Sequence, residues 1–168
     1  MLVRAYQARV FGLVLMIVRS PPAADDVTQE AFVRAFRNLH RYDDRRPIYP
    51  WLAAIATRLA HNWMRQHGRT ARREGTPIDA APAPSTPPAA LTDLIAGERR
   101  RQLWTTIASL PARERTAVVL HYRDGMAVRD IAAALGVTGG TIKTMLFRAR
   151  RHMRERLSPE SPEPEKRQ

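Results

Sequence analysis

IAAALGVTGGTIKTMLFRARRHM, residues 131–153, sets two helical apolar patterns on either side of a glycine and ends in a run of cations. A helix-turn-helix needs a short first helix, a tight turn that usually holds glycine, and a second helix crossing the first steeply. Ile131, Ala132 and Leu135 supply the buried face of the first helix, and the small Ala132 lets its partner approach. Gly136 suits the left-handed position that ends a helix, Val137 plugs the corner, and Thr138 can cap the next helix. Ile142, Leu146, Ala149 and Met153 then recur at helical spacing on an inner face. The opposite face carries Gly140, Thr144, Phe147, Arg148 and Arg151, with Lys143 on the flank. Hydroxyls near a helix start followed by cations are what a helix in the major groove presents, to base edges and to phosphates. A merely solvated cationic face is the competing reading, and Phe147 argues against it because an exposed aromatic beside cations suits an interface.

Composition points the same way. Lys and Arg number 28 against 16 Asp and Glu, a net charge of +12, and 26 of the 28 cations are arginine, which favours a polyanionic partner. The chain has no cysteine, which excludes disulfides and Cys-based zinc sites. His40, His61, His67, His121 and His152 form no metal-ligand spacing, so neither metal nor cofactor is expected. The apolar run VFGLVLMIV, residues 10–18, is about half of the ~20 residues that span a bilayer, so no membrane insertion is expected. It reads as a buried helix opening a first domain rather than as the core of a signal peptide.

Residues 2–66 pattern as three helices, about 2–19, 23–40 and 49–66, separated by RSPPAADD and RYDDRRPIYP. Between Gly68 and Gly97 comes TPIDAAPAPSTPPAA, with five prolines from Pro77 to Pro88 and little apolar bulk, which reads as a linker. Helical patterning returns in GERRRQLWTTIASL and PARERTAVVLHYRDG, with Pro111 at a start and Gly125 at an end. The expected architecture is all-α: a three-helix domain over 1–67, a flexible linker over 68–98, a helix-turn-helix domain over 99–157, and a disordered tail over 158–168.

Two faces of the first domain stand out. In ADDVTQEAFVRAFRNLHRY, a wheel centred on Val27 turns Ala31, Phe32, Ala35, Phe36 and Leu39 inward and Asp26, Gln29, Glu30, Val33 and Arg37 outward. An exposed valine among acids suits docking against a protein, since DNA would repel the acids; a plain solvated face is the alternative. In PWLAAIATRLAHNWMRQHGR, Leu52, Ile55, Leu59 and Trp63 turn inward, while Trp51, Arg58, Asn62 and Arg65 share a flank within about 60°. Aromatic, amide and guanidinium groups on one stripe suit an unpaired strand, whose bases stack on rings. The loop before it adds Tyr42, Arg45, Arg46 and Tyr49, enough for a pocket around an extruded base.

Together these segments resemble the bacterial sigma factors, in their small extracytoplasmic-function (ECF) branch. DDVTQEAFVRAFRNLHRYDDRRPIYPWLAAIATRLAHNWMR is similar to region 2 of that family, and LPARERTAVVLHYRDGMAVRDIAAALGVTGGTIKTMLFRARRHMRERL to region 4. The resemblance implies a non-enzymatic, cytoplasmic specificity subunit that binds core RNA polymerase and promoter DNA. Region 2 would melt and read the −10 element, and region 4 would read the −35 element. By position, Asp25, Asp26, Gln29, Glu30 and Val33 match the family's contacts to the clamp helices of the largest polymerase subunit. The loop Tyr42–Tyr49 with Trp51, Arg58 and Asn62 matches its non-template-strand capture site, and Lys143, Thr144, Phe147 and Arg148 its −35 contacts. An anti-sigma protein is a further partner the resemblance suggests.

Departures affect promoter choice. Thr57-Arg58 stands where the family usually shows Arg-Asn, Met145 where Arg is frequent, and MAVRD where a more acidic pair is common. The N-terminal segment is a few residues short of the pattern. A stand-alone helix-turn-helix regulator is the competing reading; an enzyme is not supported, because Glu30, Glu114 and the histidines form no acid/base or nucleophile set.

Overall fold

A computed structural model describes the backbone of residues 2–74 and 91–157, and side chains within 2–67 and 97–157. Among the described residues, seven α-helices run in the order α1 (Leu2–Val18), α2 (Pro21–Arg37), α3 (Ile48–Glu74), α4 (Leu91–Ala108), α5 (Ala112–Val118), α6 (Val128–Leu135) and α7 (Gly139–Leu157). A 3-10 turn over Leu39–Arg41 follows α2 and a π turn over Val119–Arg123 follows α5. There is no strand among the described residues, and the all-α expectation holds.

The apolar run of α1 buries Val10, Leu13, Val14, Ile17 and Val18 at spacings of three and one, the stripe of a helix with one face inward. Arg19, at φ 59°, turns the chain, and the prolines after it start α2, where a fixed φ and a missing N–H cost nothing. The three helices pack closely because their contact faces are small: Ala24, Ala31, Ala35, Ala53, Ala56 and Ala60 are all fully buried. Leu13, Ile17 and Leu52 fill the space between them.

The second half is built on α7, whose Ile142, Leu146 and Ala149 are buried against α4, α5 and α6. The π turn ends at Gly125, whose φ of +66° excludes most side chains, and Met126 N–H closes it on the Leu120 carbonyl at 2.9 Å. The turn at Gly136 is as expected: φ 66° and ψ 39°, with Val137 N–H donating to the Ala132 carbonyl at 3.0 Å. Thr138 caps α7, its Oγ1 accepting from Thr141 N–H at 3.2 Å.

The two halves share one apolar core, α3 packing on α6 and α1 on α5 and the π turn. Arg115, 4% exposed, ties them by donating to the Ala108 carbonyl at 2.7 Å and the Ile17 carbonyl at 3.0 Å, where the ends of α4 and α1 leave carbonyls unpaired. Burial, then Arg19 nearby, lowers its pKa to about 10, so it keeps its charge at neutral pH.

Three local expectations differ. Helix α2 stops at Arg37 rather than near residue 40, and both Phe36 and Leu39 turn outward, 52% and 43% exposed. Phe36, still within α2, stands nine residues from Val27 and so about 180° round the helix from that buried side chain, while Leu39 leaves the α-helical path in the 3-10 turn. Trp63 is only partly buried and stacks on His67 at 4.3 Å between centroids. Helix also occupies both ends of the expected linker, to Glu74 and from Leu91, while residues 75–90 and the expected tail 158–168 lie outside the described residues.

Candidate nucleic-acid interface

Helix α7 begins at Gly139, and the inward pull of Ile142, Leu146 and Ala149 forces its other face into solvent. Thr138, Lys143, Thr144, Phe147, Arg148 and Arg151 are all exposed, Phe147 by 61%. Thr144 Oγ1 donates back to the Gly140 carbonyl at 3.1 Å, leaving its oxygen free to accept. Arg151 pairs with Glu155 at 3.5 Å, both ends well solvated, a contact that phosphate can displace. A Cβ on Gly139 or Gly140 would meet only ordinary contacts, at 3.7 Å and 3.8 Å, so bulk is not excluded at either position.

On α3, Trp51 and Arg58 border a hollow of about 640 Å³ whose opposite wall is Arg129 and Ala133 of α6. Tyr42 lies 5.3 Å from Trp51 between ring centroids and donates its hydroxyl to the Arg46 carbonyl. Partial desolvation, then Asp44 and Asp43, raise the Tyr42 pKa, so the phenol stays a neutral donor. Arg45 and Arg46 are exposed, and Asp43 holds the loop by accepting from Arg45 N–H at 3.1 Å and pairing with Arg46 at 3.7 Å. A second hollow of about 320 Å³ continues across Trp51, Arg58 and Asn62 to Arg34, Asn38 and Arg41. Arg65, one turn further along α3, donates to Asn62 Oδ1. Sequence patterning missed Arg34, Asn38 and Arg41, which sit on other elements.

Tyr49 is placed differently from the rest of its group. It is 5% exposed, stacks on Tyr6 at 5.9 Å, lies under the Arg9 guanidinium at 3.6 Å, and donates its hydroxyl to Asp124 at 2.6 Å. In this conformation it faces the second half of the chain rather than the hollow.

The outer face of α2 exposes Asp25, Asp26, Gln29 and Val33, with Glu30 half-buried. Gln29 donates to Asp25 at 2.9 Å and Arg34 to Glu30 at 2.6 Å, fixing the acids along the helix. Val33, Phe36 and Leu39 add an exposed apolar strip to these acids, an arrangement suited to protein rather than to DNA.

Residues 2–70 match the family model described as Sigma-70 region 2, and residues 100–153 that described as Sigma-70, region 4. The chain is 33% identical to the ECF RNA polymerase sigma-E factor of Escherichia coli K12, over 95% of this chain and 86% of that protein. It is 32% identical to the RNA polymerase sigma-H factor of Pseudomonas aeruginosa, with the same coverage of each. A probable RNA polymerase sigma factor RfaY of Xanthomonas campestris is 31% identical over 93% of this chain, which spans only 39% of that longer protein. Among solved structures, the sigma factor RpoE of Bartonella quintana, in complex with the anti-sigma factor NepR, has the same fold, with a TM-score of 0.76, 21% identity and 95% and 96% of the two chains covered. With region 2 and region 4 in this order and these relatives, the chain belongs to the sigma-70 family of RNA polymerase sigma factors, in its extracytoplasmic-function branch.

Proposed function

We propose that this chain joins core RNA polymerase in the cytoplasm and directs it to promoters, region 4 reading the −35 element and region 2 opening and holding the −10 element. The observation that carries this is the presence, on one chain, of the exposed Lys143, Phe147 and Arg148 face and the hollow of Trp51, Tyr42 and Arg58. The first suits duplex DNA and the second an unpaired strand. Lys143, Thr144 and Arg148 meet base edges, while Thr138 and Arg151 steady the helix on phosphates. Trp51 stacks a base, Arg45, Arg46, Arg58 and Arg65 track the backbone, and Asn62 offers an amide to a base edge.

The acidic and apolar strip of Asp25, Asp26, Gln29, Glu30 and Val33, extended by Phe36 and Leu39, docks the polymerase clamp helices. Strand opening then draws on binding energy alone, because bases lost from the stack, at a few kcal/mol, are recaptured on protein. No catalytic group is required. An anti-sigma protein that covers the α2 or α7 face would hold the chain inactive.

Gel-shift titration on a promoter fragment, with and without core polymerase, tests the proposal. Weak binding alone and a tight complex with polymerase are expected, the latter abolished by Glu30→Arg. Tight duplex binding without polymerase, indifferent to Glu30→Arg, would instead mark a stand-alone regulator.

A further inference from the structure

The second hollow, of about 320 Å³, is built by region 2 alone: α2 and the 3-10 turn contribute Arg34, Asn38 and Arg41, and α3 contributes Trp51, Arg58 and Asn62. Arg34 and Asn38 stand four residues apart on α2 and so share a face. The 3-10 turn, closed by Arg41 N–H on the Asn38 carbonyl at 2.9 Å, then brings Arg41 to the same hollow. Its lining holds the guanidiniums of Arg34, Arg41 and Arg58 and no carboxylate, whereas the first hollow includes Asp43 and Asp130. The exposed Arg41 side chain has no hydrogen bond or ion pair among the described residues. Arg34 pairs with Glu30 at 2.6 Å, but both side chains are about half exposed, so a phosphate can compete for it. The two amides each keep one group to offer. Asn38 Nδ2 donates to the Arg34 carbonyl at 2.9 Å, which leaves Oδ1 to accept, and Asn62 Oδ1 accepts from Arg65, which leaves Nδ2 to donate.

We infer that this hollow is a further nucleotide subsite: the unpaired DNA strand that stacks a base on Trp51 runs on into it, the neighbouring base meeting Asn38 and Asn62 and its phosphate meeting Arg41 and Arg34. Continuity supports the path, because Arg41, Trp51, Ile55 and Arg58 line both hollows. Size supports a single occupant, since about 320 Å³ lies at the lower end of the roughly 300–1,000 Å³ of small-molecule sites. Every base carries a donor beside an acceptor on its pairing edge, so one acceptor and one donor hold a base without fixing its identity. The cations supply the phosphate contact, as in other single-strand grooves. Arg34, Asn38 and Arg41 thereby gain a role in strand capture. The inference rests on reading the Trp51 and Arg58 face as strand-binding.

Fluorescence anisotropy of fluorescein-labelled dT12, and of an abasic strand of the same length and charge, tests the subsite in the full chain. Arg41→Gln and Asn38→Ala are compared with the wild type, with Trp51→Ala, and with Arg37→Gln. Arg37 is the control: it is exposed on α2, lines neither hollow, and gives the same charge change as Arg41→Gln. Arg41→Gln is expected to weaken both strands about tenfold, the loss of a charged hydrogen bond, and to lower the salt slope by about 0.7, one single-strand phosphate contact. Asn38→Ala is expected to weaken dT12 about fivefold and to leave the abasic strand unchanged, a split that loss of a helix cap would not produce. Arg37→Gln should keep the wild-type slope. Wild-type binding by Asn38→Ala and Arg41→Gln, with dT12 still weakened by Trp51→Ala, would overturn the subsite and leave the strand-binding face standing. An equal loss in Arg37→Gln, or an Asn38→Ala loss shared by the abasic strand, would overturn it too. Binding of dT12 indifferent to Trp51→Ala would instead count against the strand-binding reading, and the subsite with it.

Discussion

The Tyr49 hydroxyl donates to Asp124 Oδ2 at 2.6 Å, joining two helical halves across 75 positions of sequence. Burial, then this bond to Asp124, raises the phenol's pKa well above its ordinary value, so the tyrosine is a neutral donor throughout the working pH range. Tyr49→Phe keeps the ring between Tyr6 and Arg9 and removes only the bond. A hydrogen bond to a charged acceptor contributes about 1.5–3 kcal/mol. Urea unfolding should show a lower midpoint with little change in slope, by an amount at the lower end of that range, because Arg9 and Arg123 still satisfy the carboxylate.

Acid should weaken the contact between the halves. His61 of α3 lies against Thr116 of α5, 3.2 Å from its hydroxyl, and its pKa is lowered to about 4 by burial, then by Arg113, Arg115 and Arg65. The unfolded chain takes up this proton near pH 6.5 and the native chain does not, so stability falls as pH drops from about 6.5 to about 4 and levels off below. Partial exposure reduces the effect to about 1–2 kcal/mol. Urea midpoints at pH 7 and pH 4.5 should differ in the wild type, and His61→Gln should narrow the gap.

At the turn between α6 and α7, Gly136→Ala meets open space but the wrong backbone, with φ at +66°. An L-residue there costs about 1–2 kcal/mol. The thermal midpoint should drop by several degrees, while Gly140→Ala, inside helix α7, should leave it unchanged or raise it.

Gly136 and Thr138 were legible in the sequence because a left-handed cap and a hydroxyl cap are decided by neighbours a few residues away. The outward face of α7 was legible because it is the complement of Ile142, Leu146 and Ala149. Phe36 turns outward because it stands about 180° round α2 from the buried Val27, and Leu39 because α2 has given way there to a 3-10 turn, a change of helix type that carries no periodic signal. The Arg9 and Asp124 contact, 115 positions apart, follows from how the two halves dock, which no local pattern encodes. The same docking turned Tyr49 inward.

On the α2 face, Val33→Arg places a cation in the centre of the acidic and apolar strip without touching the core, since Val33 is 41% exposed. Association with core polymerase should weaken at least tenfold, about 1.4 kcal/mol or more. Circular dichroism and the thermal midpoint should stay as in the wild type.

Among the DNA-facing residues, Arg148→Ala and Arg151→Ala should separate by role. Loss of a phosphate contact at Arg151 lowers affinity evenly across sequences and reduces the salt slope by about one. A base contact at Arg148 is worth about 1–3 kcal/mol of discrimination at one position. Binding of holoenzyme to −35 variants at several salt concentrations distinguishes the two.

Run-off transcription of fragmented genomic DNA with core polymerase and this chain tests the central claim most directly. Discrete new 5′ ends, preceded by two shared sequence blocks at fixed spacing and lost with Glu30→Arg, are the predicted result. Transcripts indistinguishable from those of core polymerase alone would contradict it.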